Sequence, residues 1–406
     1  MIETKFKQTE IGPIPEDWEV SSLSDVGEIK MCKRILKFQT SDKGDIPFYK
    51  IGTFGKVADA YISRELYEEY LQKYNYPKKG DILLSAAGTI GRTVVFDGKP
   101  SYFQDSNIVW INNDESLILN SLLYYIYDRV SWVTESGTIP RIYNGIVHSI
   151  KFAHPTSLVE QEKIAKALSD VDALINDLGE LIVKKRNIKQ GTMQQLLAGK
   201  KRLPGFTGKW NCNAMWELTA WDKFFSEVEK GKQKKVIRYP YLLAANMEAM
   251  EQANGNVYLL ATGNYEGWTT EEIAGNHLCE GEVVSIPWGG YANIKYTKGK
   301  FVTADNRIAT SLDTSILDNK YLYYYMLQNK KTFDSFYRGA GIQHPSMADV
   351  LDFEILYPSI DEQRAIATIL TDMDDEIQDL EAKRDKYTAI KQGMMQELLT
   401  GKIRLV

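Results

Sequence analysis

The residues able to do chemistry are few and scattered. His148, His154, His277 and His344 are the only histidines, and Cys32, Cys212 and Cys279 the only cysteines. No CxxC or HExxH spacing occurs, so no pair is set to grip zinc. His277 and Cys279 stand two apart in NHLC with no second pair nearby, and read as a turn beside a buried cysteine. GTFG (52–55) and AAGTIG (86–91) are glycine-rich. They lack the lysine of a phosphate loop and the full dinucleotide spacing, so they read as turns. The GxSxG nucleophile elbow is missing, as is the Asn/Asp-Pro-Pro-aromatic tetrapeptide of an adenine methyltransferase. Catalysis by this chain alone is not expected, nor is a metal or cofactor of its own.

What remains is the chemistry of recognition. Reading DNA takes cations for phosphates and Arg, Lys, Asn or Gln for base edges. One basic segment, IKMCKRILK, carries Lys30, Lys33, Arg34 and Lys37, with Gln39 and Thr40 just after. A second, EKGKQKKVIR, carries Lys230, Lys232, Lys234, Lys235 and Arg238. Arg92 follows the AAGTIG turn. Arg141, Tyr143 and Asn144 share a polar loop in the first half, as do Arg338, Gln343 and His344 in the second. GNYEGW adds Asn264, Tyr265 and Trp268, whose rings could stack on bases. A solvated basic loop is the ordinary explanation for any one of these. Their recurrence in both halves favours a duplicated reader of DNA.

The elements that must position these loops are set by a repeat. Residues 160–203 and 362–405 align without a gap at a constant offset, and about half of their positions are identical. Both contain KQG-x-MQ-x-LL-x-GK-x-RL. Apolar residues fall at Ile164, Leu168, Val171, Ile175, Leu178 and Ile182, and again at Ile366, Leu370, Met373, Ile377 and Leu380. Alternating steps of four and three make the seam of a coiled coil. Ser157 with Glu160, and Ser359 with Glu362, have capping-box spacing, just after Pro155 and Pro358. Gly199 and Gly401 stand where the pattern stops. Gly191 and Gly393 interrupt it, which suggests a bend or close helix approach. Two long matching helices are expected to pack together, in a direction the pattern does not set. Each of about 38 residues would span roughly 57 Å, more than one turn of DNA at about 34 Å.

The rest of the chain repeats more weakly. GDILLS (80–85) parallels GEVVSI (281–286), YFQDSNIVWI (102–111) parallels FVTADNRIAT (301–310), and LLYYIYD (122–128) parallels YLYYYML (321–327). Gly137–Ile150 parallels Gly341–Ile355, and the two basic segments are matched to each other. Short strands, glycine turns and one aromatic helix suggest α+β domains. The expected organisation is a first recognition domain (1–155), a central helix (156–203), a second recognition domain (204–357) and a distal helix (358–406).

Composition sets outer bounds. The 406 residues allow two or three domains. At 44% hydrophobic and 25% charged the chain is of globular type. A net charge of −5 excludes a small, uniformly basic nucleic-acid module but leaves room for local basic loops. No apolar run has the length of a membrane span, and MIETKFKQTE lacks the apolar stretch of a signal peptide. An odd number of distant cysteines suits a reducing compartment, so a cytoplasmic location is expected.

The duplicated EQ-x-x-IA-x-x-L-x-D-x-D … IKQG-x-MQ-x-LL-x-GK-x-RL resembles the specificity subunits of type I restriction-modification systems, and GDIPFYKIGTFG (44–55) and GDILLSAAGTIG (80–91) resemble the start of their target recognition domains. The resemblance covers essentially the whole chain. It implies two target recognition domains, each reading one half of a split double-stranded DNA site. It also implies an antiparallel coiled coil that sets the gap and binds two methyltransferase subunits, which methylate adenine at N6. Two motor-nuclease subunits would join for restriction. S-adenosylmethionine would then belong to the methyltransferases and ATP with magnesium to the motors, with no catalysis in this subunit. A second reading stays open: a coiled-coil scaffold whose globular domains bind peptides, which the acidic net charge suits.

Overall fold

The computed structural model describes residues 5–88, 90–130, 132, 150–222, 232 and 235–405. They form two compact units. One comprises 1–178 and 383–406, the other 179–382.

In the first unit, β1 (Trp18–Ser22), β2 (Ile29–Met31) and β3 (Ile46–Tyr49) precede β4 (Ile82–Ser85), β5 (Thr93–Val95), β6 (Tyr102–Phe103) and β7 (Ile108–Ile111). Helix α1 (Asn120–Arg129) and β8 (Lys151–Pro155) lead into the long helix α2 (Leu158–Leu196). The main sheet has the order β2-β7-β4-β5, and β8 pairs antiparallel with β1. β4 and β7 are buried at every position, which is why ILLS and IVWI run apolar without alternation. Helix α1 turns Leu122, Leu123 and Ile126 into a core with Trp18, Ile164, Leu168, Met395, Leu398 and Leu399.

The second unit repeats the plan with longer strands. β9 (Asn211–Ala214), β10 (Thr219–Trp221), β11 (Val257–Leu260) and β12 (Trp268–Thr269) come first. β13 (Cys279–Pro287), β14 (Lys295–Thr303) and β15 (Asn306–Ser311) follow, then α3 (Asn319–Gln328), β16 (Glu354–Tyr357) and the second long helix α4 (Ile360–Leu398). The sheet order is β10-β15-β13-β14-β11-β12. Registers agree between the units. Ile108 opposes Ser85 and Val109 opposes Leu84, while Ile308 opposes Ser285 and Ala309 opposes Val284. Parallel pairing also occurs in both units, as Phe48 with Tyr102 and Tyr258 with Phe301. The α+β class and the duplicated plan stand as expected.

Each long helix gives one half to each unit. Within the first unit, Asp172 of α2 meets Lys391 of α4, and Glu160 meets Arg404 just beyond it, so the segments run antiparallel. Within the second, Lys189 meets Asp374 and Arg202 meets Glu362, again antiparallel. Ile164, Leu168, Leu178, Ile182, Ile366, Leu370 and Ile377 are buried, and Val171, Ile175, Met373 and Leu380 half-buried. Gly199 (φ +64°) and Gly401 (φ +71°) take the left-handed conformation after each helix.

Three expectations change. Glu160 and Glu362 do not close capping boxes; their carboxylates grip arginines instead, and only the Ser157 hydroxyl caps, accepting from the Glu160 N–H at 3.4 Å. Gly191 and Gly393 mark neither a break nor a tight contact, since both helices run through them and a Cβ there would meet nothing within 4 Å. The two basic segments are not counterparts. The first begins in β2, whose place beside β7 is taken in the second unit by β10 (219–221), well before 230–238.

Candidate nucleic-acid interface and helix clamps

The clamps are built twice from the same residue types. Arg404 donates to both Glu160 and Asp17 and lies 5.7 Å from the Trp18 ring. Arg202 donates to Glu362 with two nitrogens, at 2.7 and 2.6 Å, and lies 5.6 Å from the Trp210 ring. Glu160 and Glu362 keep only 3% and 1% of their side-chain surface exposed, so each carboxylate depends on its arginine. The hydrogen bonds to Glu160 and Asp17 raise the Arg404 guanidinium above its ordinary value, and those to Glu362 raise Arg202.

The glutamine beside each glutamate stitches its helix to the domain. The Gln161 amide donates to the carbonyls of Leu117 and Pro155 and accepts from the Leu119 N–H. Gln363 does the same with Ile316, Pro358 and Asp318. Tyr125 donates to Asp172, and Tyr324 to Asp374.

The first basic segment borders an open cleft. Arg34 and Lys33 line it with Gln72, Lys73, Tyr74 and Asn75. Arg34 pairs with Asp105 at 2.7 Å, and the Lys33 ammonium stands 5.1 Å from the Tyr74 ring. Lys37 opens a tight turn, Lys37–Gln39. There the Gln39 side chain accepts from the Leu36 N–H at 2.8 Å, and the Thr40 hydroxyl donates to the Lys37 carbonyl at 2.8 Å. Gln39 and Thr40 thus shape the turn that presents Phe38, which is 81% exposed. Lys30, on β2, pairs with Glu28. Arg92 points inward, donating to the Ile51 carbonyl at 3.0 Å, 5.5 Å from the Phe54 ring. Arg141, Tyr143, Asn144, Lys230 and Lys234 lie outside the described residues.

In the second unit, Lys232 pairs with Asp352, and Arg338 with Asp349 at 2.6 Å, both acids belonging to the short helix Met347–Asp352. Lys235 and Arg238 are exposed. The exposed Asn264 sits on the GNYEGW loop, where Tyr265 donates to Glu251 and Trp268 is half-exposed against Tyr258. Asn293 holds this loop, donating to the carbonyls of Thr262 and Gly263. Gln343 and His344 lie against the 288–291 turn: the Gly290 N–H donates to the Gln343 carbonyl at 2.9 Å, and His344 Nδ1 donates to the Trp288 carbonyl at 2.7 Å.

Sequence reading missed Trp288, Tyr291 and Arg307 here. The Arg307 guanidinium lies 3.7 Å from the centre of the Trp288 ring. The glycine pair in WGGY at the end of an apolar strand was the available signal.

The cysteines are not poised as nucleophiles. Burial pushes the Cys32 thiol up to about 12 and the Cys279 thiol up to about 11. Among the described residues no cluster of three or more His, Cys, Asp or Glu could hold a metal ion, and no helix is long and apolar enough to cross a membrane.

Comparison with known proteins agrees with this picture. A family profile, the type I restriction modification DNA specificity domain, matches residues 15–186 and 227–389. A putative type I restriction enzyme specificity subunit from Haemophilus influenzae is 59% identical over 168 residues, which is 41% of this chain and only 43% of that protein. The putative MjaX specificity subunit of Methanocaldococcus jannaschii is 26% identical, with 99% of this chain and 97% of that one aligned. The crystal structure of the type I restriction-modification S subunit from M. genitalium shares the fold at TM-score 0.64 and 16% identity, covering 97% of this chain and 98% of that one. The chain therefore belongs to the type I restriction-modification DNA specificity family, whose members are the sequence-specific DNA-binding specificity subunits of type I restriction-modification systems.

Proposed function

We propose that this chain reads a bipartite site on double-stranded DNA, one half-site for each recognition domain. With domain limits of 1–155, 156–203, 204–357 and 358–406, the loops of the two recognition domains do the reading and the two long helices set the gap. The chain is the non-catalytic partner of a complex. Two methyltransferase subunits dock on the helices and methylate adenine at N6 with S-adenosylmethionine, and two motor-nuclease subunits add ATP- and magnesium-dependent restriction, in the cytoplasm.

The observation that carries this reading is the duplication of contacts within each unit. Arg404 with Glu160 and Arg202 with Glu362 are the same clamp, as are Lys391 with Asp172 and Lys189 with Asp374. A duplicated frame bearing loops that differ suits two half-sites of different sequence. Ile188 and its repeat counterpart Ile390 leave apolar surface exposed on the helices, where a partner subunit would find it twice. Lys33, Arg34, Lys37, Lys235 and Arg238 supply the phosphate contacts.

Gel shift of the full chain, with and without its methyltransferase partner, tests it. Binding to DNA that contains the recognised site should fall steeply between 50 and 200 mM salt, as phosphate contacts require. Salt-independent binding, or binding to peptide in preference to DNA, would favour the scaffold reading.

A further inference from the structure

The turn that follows β13 is stapled to the hairpin Tyr337–Arg338/His344–Pro345 at several points. The Tyr337 hydroxyl donates to the Pro287 carbonyl at 2.7 Å. His344 Nδ1 donates to the Trp288 carbonyl and the Gly290 N–H to the Gln343 carbonyl, while the Ala292 N–H donates to Asp334 of the preceding helix Lys330–Ser335 at 3.0 Å. Gly290 and Gly339 take backbone that favours glycine, and Gly289 packs close to Ile342. Gly290 has φ +105°, and a Cβ at Gly289 would lie 3.0 Å from Ile342 Cγ2. At Gly339 (φ +143°) a Cβ would lie 2.9 Å from the Ile342 carbonyl.

Beneath the tip is a stack. The Trp288 ring centre lies 3.7 Å from the Arg307 guanidinium and 4.9 Å from the tilted His344 ring. Arg307 is buried, pairs with Asp305, and its Nε has no hydrogen-bond partner. Besides its bonds to Asp305 and the Asn306 carbonyl, it is held by the flat face of the indole, on which a planar guanidinium can stack. The stack leaves Ile342 at the apex, 73% exposed, with the exposed Gln343 beside it.

A branched aliphatic next to a carboxamide matches one base pair in the major groove. Glutamine bonds adenine at N6 and N7 with both ends of its amide, and an aliphatic side chain contacts the thymine methyl. We infer that Gln343 and Ile342 read an A·T pair in the half-site of the second domain, and that Arg307 is the positioning residue which fixes them. This rests on the DNA-reading function proposed above.

The test uses the full chain assembled with its methyltransferase, acting on a DNA library randomised in both half-sites, with methylated sites mapped. Gln343→Ala and Ile342→Ala, both at the exposed tip, should each relax discrimination at one A·T pair of the second half-site by on the order of 10-fold or more. Discrimination in the first half-site should stay as it was. Arg307→Leu should relax the same base pair, which a purely structural loss would not single out. Unchanged discrimination in both tip variants would overturn the inference. So would a uniform weakening over all sequences. Failure of the DNA-reading function itself would show separately, as absence of sequence preference in the unmodified complex.

Discussion

Glu160 and Glu362 are carboxylates that almost no water reaches, and each is compensated by an arginine from beyond the end of the other long helix. Removing one partner of a buried pair leaves an uncompensated charge. Arg404→Ala should therefore destabilise the first unit by about 3 kcal/mol, read by chemical denaturation. A change near zero would mean that Asp17, Glu160 and Arg404 are no clamp. Arg202→Ala should weaken the second unit in the same direction. His154 offers a different test. Its Nδ1 donates to the Pro155 carbonyl at 3.0 Å, so its Nε2 accepts from the Ser21 hydroxyl at 2.9 Å, and the ring is satisfied as the neutral form. Burial lowers its pKa below the ordinary 6.5. The unfolded chain then binds the proton more readily, so stability from this site is present above about 6.5 and lost as pH falls below it. Thermal unfolding should show that loss between pH 7.5 and 5.5, and His154→Gln should flatten it. An identical profile in the variant would rule His154 out as its source. The arginine clamp could not be read locally. Glu160 sits at capping distance from Ser157, and only the fold brings Arg404 to it across 244 positions of chain.

At the scale of elements, the long helices were legible because a heptad seam carries both length and face in its spacing. Their direction was not, because an apolar seam serves parallel and antiparallel pairs alike; the charge pairs Asp172–Lys391 and Asp374–Lys189 show it. The sheet registers were half legible. GDILLS and GEVVSI matched as strands, but the two basic segments were aligned by charge, and charge does not report which strand pairs with which. Met193, Leu196 and Leu197 belong to the core of the second unit, so a helical turn inserted over Gln190–Leu197 would damage packing as well as spacing. The better place is 179–184 together with 381–386, where Ile182 of the seam is the one buried residue. Four residues added to each helix there should lengthen the unread gap in the methylated site. An unchanged gap would mean that the helices are not the ruler. Gly191→Ala and Gly393→Ala meet open space, and should raise stability by up to about 1 kcal/mol each in the free chain. A loss in melting temperature would show that the helix needs glycine there.

For the whole molecule, the duplicated frame and the divergent loops assign different jobs to different parts of the chain. Exchange of residues 204–357 for the same region of another specificity subunit should replace one half-site and spare the other, read by mapping methylation. A change in both half-sites would contradict independent domains. The net charge of −5 also bears on how the chain meets DNA. A polyanion is held only where Lys and Arg gather, so affinity must reside in few loops and fall with salt. Mapping methylated adenines across a genome or random library exposed to the complete methyltransferase complex is the most direct measurement. Two short, dissimilar half-sites separated by a fixed number of unread base pairs are expected. A single continuous motif, or methylation without sequence preference, would contradict the proposal that each recognition domain reads its own half-site.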